Sequence, residues 1–377
     1  MVDCCSPLEV ISHLTGRNAL DVDINQSNRY CILLNSKTGK EAFYFSTPIY
    51  NNLSGKIVNR NFSKINGYYQ MIGSNCIVQI TNSKLLLLKE QAYVKLNFNR
   101  NIIWTLKDGI LVSDLITIVP TYNGIVMRGN IIRTSFDIKF DLAYKSVRNS
   151  ENCVCLMESN FRPIFVISAL NAHTHNKGCY PLLVRFNKVS QSSGNIEFHS
   201  PNAITACGAV EMSFYEPKII QDTPVSAKRP RENNAFGPIG FIGKSDFYGL
   251  QWLYSRLDIN KMPELQNKLI QEIKLYIPRI NREATVLDMY ELQHRFCSFG
   301  SNWDNKVQIR DKRRTVAPKE DYFCFDITDL YTNRGRLCES AGMVIAPTHN
   351  AVCNYQMIST GDSYSAPPIL YVKYKNI

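Results

Sequence analysis

The chain of 377 residues lacks the short motifs that mark the common enzyme and metal-site classes. It has no GxSxG, GxxxxGK[ST], GxGxxG or HExxH sequence, which removes the nucleophile elbow, the P-loop, the dinucleotide-binding turn and the zincin helix. No two cysteines have CxxC spacing, so zinc-ribbon and thioredoxin-type sites are also absent. We therefore predict that the protein is not an enzyme.

Long apolar runs are missing as well. No stretch approaches the roughly 18 apolar residues that a membrane-spanning helix needs. The start of the sequence, Met1 to Pro7, has neither the basic nor the apolar region of a secretory signal. We predict a protein without a transmembrane segment that is synthesised in the cytoplasm without a visible signal peptide.

Cysteine, in contrast, occurs twelve times. Most of these thiols are expected to be small buried side chains in a reducing compartment. The alternative is that exposed cysteines, Cys4 and Cys5 first among them, cross-link copies of the chain in a maturing outer layer. Twenty tyrosines would suit such a layer.

Positive charge is in excess, with 43 Lys and Arg residues against 32 Asp and Glu and a formal net charge of +11. This excess favours anionic partners such as nucleic acid, acidic polysaccharide or teichoic-acid-like polymer. The basic residues are spread along the chain apart from small clusters at 228–231 and 310–314. No base-reading motif accompanies either cluster, which disfavours nucleic acid and leaves an anionic glycan open.

Alternation of apolar and polar residues dominates wherever a pattern is visible. Gln91–Phe98, Ile138–Tyr144, Tyr322–Ile327 and Ile369–Tyr374 all alternate with a period of two, which is the pattern of half-buried strands. Turn-forming pairs such as Asn66-Gly67 separate such runs about every ten residues. We predict an all-β protein of several antiparallel β-sandwich domains.

Composition also suggests where the domains divide. Residues 222–238 contain three prolines and a charge run, which predicts a linker. The linker would separate an N-terminal β-rich region, 1–221, from a C-terminal β-sandwich, 239–377. A weaker boundary, or a long hairpin loop, is predicted near 145–160.

The C-terminal region has five recognisable segments in a fixed order. Leu250–Ile259 precedes the turn Met262–Glu264, and the strand Ile270–Pro278 follows. The last three segments are Gly300–Asn305 around Trp303, the Phe-Asp-Ile-Thr-Asp-Leu of Phe325–Leu330, and the closing stretch Ser359–Tyr374.

In this order the segments resemble the DNRLRE-type carbohydrate-binding-like β-sandwich module. The resemblance implies a β-sandwich with a binding function and assigns Trp303 to structure. It is incomplete, because the tryptophan that usually follows Thr-Asp-Leu is missing and four cysteines are added: Cys297, Cys324, Cys338 and Cys353. Phe45–Arg60 with Tyr68–Val78 is more faintly similar to the β-region that precedes such modules in bacterial wall-associated surface proteins.

One predicted strand offers a ligand-binding surface. Alternation places Trp252, Tyr254 and Arg256 on the same face. Aromatic rings stack on sugar rings, and an arginine binds uronate or phosphate through two hydrogen bonds. The alternative is that the two aromatic side chains pack beneath a neighbouring strand.

Metal ligands are sparse. Asp326 and Asp329 are candidates for a structural calcium ion, although aspartate in a turn or cap explains them equally well. His173 and His175, with Cys179 nearby, form a weaker candidate set because a third and fourth ligand are not fixed. Beyond the possible calcium ion, no cofactor is predicted.

These observations lead to three functional hypotheses. The first is a non-enzymatic structural or assembly protein that forms or decorates a bacterial spore coat, appendage, cell surface or phage particle through self-association or other surface proteins. The second is a monomeric binder of an anionic polysaccharide. The third is a polysaccharide lyase or hydrolase that carries the C-terminal module as an accessory.

Overall fold

The structure is a computed structural model that describes residues 6–376. It leaves out residues 24–28, 37, 53, 132–134, 143, 151, 161, 175–178, 181, 201–205, 282, 284 and 350–354. Strand accounts for 54% of the chain and helix for 6%, and all paired strands run antiparallel. The prediction of an all-β fold with several antiparallel sheets is therefore confirmed.

The chain divides into two compact units. Unit 1 combines Met1–Thr47 with Pro217–Ile377, and unit 2 is the continuous stretch Pro48–Glu216 between them. Unit 2 is thus inserted into the sequence of unit 1.

Unit 1 begins with one helix and a hairpin. Their bounds are α1 Pro7–Thr15, β1 Cys31–Ser36 and β2 Gly39–Phe45. Helix α1 starts at a capping box, in which the Ser6 hydroxyl accepts from the Glu9 amide and the Glu9 carboxylate accepts from the Ser6 amide.

Unit 2 contains strands β3 to β19. They are β3 Ser63–Ile65, β4 Tyr68–Ile72, β5 Ile77–Ile80, β6 Lys84–Lys89, β7 Ala92–Asn97, β8 Thr105–Lys107, β9 Ile110–Val112, β10 Ile116–Pro120, β11 Gly124–Gly129, β12 Ser135–Asp141, β13 Ser146–Ser150, β14 Cys153–Met157, β15 Pro163–Thr174, β16 Cys179–Tyr180, β17 Leu183–Ser190, β18 Ser193–His199 and β19 Ala206–Phe214.

The remaining strands return to unit 1. They are β20 Ile220–Ser226, β21 Ile239–Ser245, β22 Gly249–Leu257, β23 Lys268–Pro278, β24 Leu287–Leu292, β25 Ile309–Val316, β26 Tyr322–Asp326, β27 Thr332–Asn333, β28 Arg336–Leu337, β29 Met343–Pro347, β30 Tyr355–Ser359 and β31 Ile369–Asn376. Short helical turns occupy Ile259–Lys261, Pro263–Leu265 and α2 Thr328–Tyr331.

Unit 2 is a sandwich of two sheets. An eight-stranded sheet has the order β17-β18-β12-β7-β6-β5-β4-β3, and a nine-stranded sheet has the order β13-β14-β15-β19-β11-β10-β9-β8 with β16 beside β15. Side chains from both sheets fill one apolar core, because every second residue of each strand points inward. Val94 and Leu96 of β7 are fully buried there, as the alternation of that segment predicts.

Unit 1 is built from a five-stranded and a seven-stranded sheet. The first has the order β1-β2-β31-β23-β26, and the second has the order β25-β24-β29-β22-β21-β30 with β20 beside β22. Tyr44 and Leu275 of the first sheet share a core with Leu253 and Ile345 of the second. In the first sheet, β31 from the end of the chain pairs with β2 from near the start of the chain.

The predicted linker at 222–238 is wrong. Residues 220–226 form β20, which pairs with β22 from Ile220 opposite Leu257 to Ser226 opposite Gln251. Pro224 is tolerated because β20 has β22 as its single partner in the described structure, and a proline in an edge strand removes no ladder hydrogen bond. Phe236, later in the same segment, is buried.

The predicted domain boundaries require the same correction. The chain passes between the units at 47/48 and 216/217, so neither 1–221 nor 239–377 corresponds to a unit. The suggested split near 145–160 falls inside the hairpin of β13 and β14, which pair from Ser146 opposite Met157 to Ser150 opposite Cys153.

Neither helix in the described part of the chain has the length and apolar composition needed to cross a bilayer.

The unit boundaries predict which fragments fold. Residues 48–216 expressed alone should unfold in one cooperative transition, since they contain both sheets of a complete core. Residues 239–377 expressed alone should not unfold cooperatively, because β31 loses its partner β2 and β22 loses its partner β20. Urea unfolding followed by tryptophan fluorescence and circular dichroism measures both. Cooperative unfolding of 239–377 would contradict this division of the chain.

Candidate ligand-binding cleft

The aromatic face predicted on β22 is covered by protein. The Trp252 and Trp303 rings lie 5.1 Å apart between centroids, at 50° to each other. Tyr254 has no exposed surface, and its hydroxyl donates to the carbonyl of Val307 at 3.0 Å. The segment that leads from β24 to β25 therefore lies over this face of β22.

Arg256 is also buried, with 6% of its surface exposed. Its guanidinium donates to the Gln221 side-chain oxygen on neighbouring β20. Burial, and then the positive charge of Arg295, lowers the pKa of Arg256. The prediction that Trp252, Tyr254 and Arg256 form an open ligand-binding face is thus corrected: they pack inside unit 1, as the alternative interpretation had it.

Asp326 has partners that leave little room for calcium. Its Oδ1 accepts from the Thr328 amide at 3.1 Å and from the Thr328 hydroxyl at 2.7 Å, and its Oδ2 lies 3.4 Å from the Arg314 guanidinium. Burial raises the pKa of Asp326, but the Thr328 hydrogen bonds and Arg314 outweigh it and leave that pKa below its usual value. Asp329 is exposed at the start of α2. The hydrogen bond that the Asp326 carboxylate accepts from the amide two residues later is that of an aspartate turn, which accounts for this residue without a metal ion.

The remaining predicted residues are only partly described. Cys4, Cys5 and His175 lie outside the described residues, and so do the side chains of His173 and Cys179. Within the described part of the chain no group of three or more potential metal ligands occurs. Cys31, Cys76, Cys153 and Cys155 are buried, Cys324 and Cys338 are half-buried, and Cys207 and Cys297 are exposed.

A cleft of about 460 Å³ opens instead in unit 2, between the segment before β3 and the β3–β4 hairpin. Its volume is in the range of small-molecule sites. Buried and exposed residues alternate strictly from Val58 to Ser63, as in an extended chain. Asn59, Asn61 and Ser63 therefore point outward on one side, about 6.6 Å apart at two strand residues per step. We call these three residues the amide row.

Buried contacts hold the amide row in place. Arg60 lies between the two asparagines, with its guanidinium 4.5 Å from the centre of the Tyr122 ring. The Val58 amide donates to the carbonyl of Ile49, and the Phe62 amide donates to the carbonyl of Gly109, both at 2.8 Å. The backbone of the row is thus fixed at both ends, while its side chains remain exposed, although the Ser63 hydroxyl donates to the Gln70 carbonyl at 3.3 Å and the Asn61 side chain lies against Gly109.

The aliphatic part of the wall lies beside the amide row. Ile57, Ile65 and Ile72 line the cleft, and Ile72 is 50% exposed. Gln70 lies among them, with its side-chain oxygen accepting from Gln79 at 3.2 Å. The Gln70 amide nitrogen is left as a donor toward the cleft. The wall therefore combines apolar surface with one hydrogen-bond donor.

The described residues that line the cleft include no ionisable side chain. Carboxamides and hydroxyls donate and accept hydrogen bonds without charge. A charged ligand would lose its hydration here without gaining an opposite charge. The cleft is thus suited to an uncharged ligand with both hydroxyl groups and an apolar face.

Sequence reasoning missed the amide row, although the signal was present. Val-Asn-Arg-Asn-Phe-Ser alternates perfectly, but an arginine in the position of a buried residue conceals the pattern. The inward direction of Arg60 depends on Tyr122, which is distant in sequence and supplied by the other sheet of unit 2.

The strongest pKa shifts among the described acids occur in unit 1, outside the cleft that the amide row lines. Asp222 is buried and accepts from the Gly361 amide at 2.6 Å. Gly361 passes so close to β20 that a Cβ atom would meet the Ile220 carbonyl at 2.4 Å. Lys218, nearby and buried, places its amino group 3.3 Å from the centre of the Tyr364 ring.

Burial and the charge of Asp362 raise the pKa of Asp222. Burial also raises the pKa of partly buried Asp362 to about 7, against the opposing charge of Lys218. These acids and Lys218 stabilise the loop after β30 against β20.

The raised pKa of Asp362 predicts a pH-dependent stability. Between the usual value of 3.8 and about 7, the folded state binds the proton that the unfolded state has lost. Asp362 should therefore lower the free energy of unfolding as pH rises through this window, by at most about 1.4 kcal/mol per pH unit, and Asp222 with its own raised pKa adds to this fall. Asp362→Asn should flatten this slope in urea unfolding measured at several pH values. Exposed Asp246→Asn is the control, and an unchanged slope in Asp362→Asn would refute the assignment.

Comparisons with known proteins identify no family for this all-β chain. No protein-family model matches it. No curated protein matches it either. Among solved structures, an exo-β-1,3-galactanase from Phanerochaete chrysosporium, determined with galactose, aligns with 8% identity and a TM-score of 0.14 over 87% of this chain and 100% of that chain. A TM-score this low shows no common fold, and no inference rests on it.

Proposed function

We propose that the protein is a non-enzymatic carbohydrate-binding protein, and that the cleft of unit 2 holds an uncharged sugar residue of a glycan. One observation carries the proposal: the amide row and three isoleucines line the same cleft, and none of its described lining residues is ionisable. A sugar ring has the matching character, since its edge carries hydroxyls and its faces carry C–H groups.

The hydrogen-bonding groups support this class of ligand. The side chains of Asn59 and Asn61 have no hydrogen bond within the described part of the chain, and each offers both a donor and an acceptor. Vicinal sugar hydroxyls also donate and accept. The aliphatic side chains of Ile57, Ile65 and Ile72 would exclude water from the C–H groups of the ring.

The same features favour binding over catalysis. Glycoside cleavage requires a general acid and a second carboxylate at the scissile bond. The lining residues of the cleft provide neither, and the acids with raised pKa values are buried in unit 1. The proposal therefore keeps the non-enzymatic function expected from the sequence.

Substitution of the amide row tests this function. Asn59→Ala and Asn61→Ala should each weaken binding of a neutral glycan about fivefold, since a net hydrogen bond contributes about 1 kcal/mol. A glycan array at low salt selects the probe, and isothermal titration with that oligosaccharide measures the change. Asn187→Ala is the matched control, because Asn187 is exposed on β17 at the opposite edge of the same sheet.

Two results would contradict the proposal. One is the absence of any neutral glycan that binds to the array. The other is release of reducing ends from the bound polysaccharide by the wild-type protein, which would make the protein an enzyme. Circular dichroism of each variant confirms that lost binding is not lost folding.

We further propose a surface setting, in a spore coat, appendage, cell surface or phage particle, where copies of the chain associate. Exposed thiols at Cys207 and Cys297 are available for cross-links between copies. Particles that contain the protein should then release it in denaturant only when a reductant is added. Equal release with and without reductant, measured by immunoblot, would rule out cross-linking.

A further inference from the structure

The five-stranded sheet of unit 1 has a second face that no part of the proposed function uses. Leu370, Val372 and Tyr374 of β31 point into the core, so the alternate residues point outward. Register with β23 places Tyr371 opposite Lys274, and Lys373 opposite Glu272.

This outer face is buried on only one side, where helix α1 and the strands β1 and β2 lie. Ile32 and Phe43 point away from the sheet core yet are fully buried, as is Ile11 of the helix. Arg17, just after the helix, binds Glu41 of β2 through two hydrogen bonds of 2.6 and 2.9 Å. On β31, β23 and β26, in contrast, the outward side chains other than Ile369 remain partly exposed.

The exposed part has a surplus of positive charge. Glu272 is paired with Lys274 at 2.6 Å, Asp326 with Arg314 at 3.4 Å, and Glu41 with Arg17. Lys373 and Lys375 follow Tyr371 on the outward side of β31 and have no carboxylate partner among the described residues. These two amino groups are the unbalanced charges of this face.

Tyrosines lie beside the lysines. Tyr371 has the Lys274 amino group 6.0 Å from its ring centre, and Tyr276 packs edge-on against Tyr322 at 5.3 Å. Burial, followed by Cys324 for Tyr276 and by Glu41 for Tyr371, raises the pKa of each phenol. The hydroxyls of Tyr276 and Tyr371 thus stay protonated over the physiological pH range and form hydrogen bonds within the protein, with the side chains of Cys324 and Glu41 respectively.

We propose that this lysine–tyrosine face, defined by Lys274, Tyr276, Tyr371, Lys373 and Lys375, binds an acidic polysaccharide. Lys373 and Lys375 pair with carboxylate or sulfate groups on successive sugars, and the half-buried rings of Tyr276 and Tyr371 offer apolar surface to the sugar faces. Charge density favours this partner over nucleic acid. Duplex DNA carries one negative charge per roughly 1.7 Å of its length. Two unbalanced lysines, with paired carboxylates on either side, neutralise only a small part of such a dense charge.

The test uses the full chain with polygalacturonate as the acidic probe, dextran as the uncharged probe and duplex DNA as the alternative polyanion. The double variant Lys373→Gln/Lys375→Gln should lose at least about tenfold in polygalacturonate affinity by biolayer interferometry. The control Lys84→Gln/Lys107→Gln removes the same charge from exposed positions of unit 2 and should change affinity by less than about twofold.

Three results would overturn the proposal: no binding of polygalacturonate by the wild type, equal losses in the two double variants, or tighter binding of DNA than of polygalacturonate at physiological salt. Equal losses would show that net charge alone attracts the polymer. Asn59→Ala/Asn61→Ala should keep full polygalacturonate affinity, so failure at this face is distinguishable from failure of the cleft in unit 2. Thermal unfolding of each variant verifies the fold.

Discussion

Strand β31 lies between β2 and β23 and hydrogen-bonds to both, and unit 1 depends on this double pairing. The pairing joins residues 40–45 to residues 369–374 within one sheet. The insertion of unit 2 between β2 and β20 leaves this sheet intact, because unit 2 leaves and rejoins unit 1 through single connections at 47/48 and 216/217. Such distant pairing carries a loop-closure cost that only the shared core of the two sheets can offset.

The period-two pattern of the strands then determines what each surface can do. On β31 one set of alternate residues fills the core, and the other set exposes Tyr371, Lys373 and Lys375. From Val58 to Ser63 the same alternation buries Arg60 and exposes the amide row. Both proposed binding surfaces are thus the outward halves of extended segments whose inward halves stabilise the fold.

The sequence was sufficient where the structural information is local. Alternation identified β7, β12, β26 and β31, since each strand buries its apolar side wherever its partners lie. It failed where a distant segment decides the outcome. Trp252 and Tyr254 alternate as an exposed face would, but Trp303 and Val307 cover them from about fifty residues away. The prolines of 222–238 indicated a linker, although an edge position in the sheet accommodates Pro224.

Net charge is a weak guide to a ligand unless the positions of the charges are known. The formal charge of +11 favours anionic ligands for the chain as a whole. The cleft of unit 2, however, has no ionisable residue among its described lining residues, so this charge does not strengthen binding there. On the outer face of unit 1 most charges are already paired, so the attraction for a polyanion reduces to a few lysines. Exposed charges are screened over about 8 Å at physiological salt, whereas uncharged hydrogen bonds in a cleft are not. Salt should therefore separate the two surfaces, because ionic strength acts on the lysines of β31 and leaves the amide row unaffected.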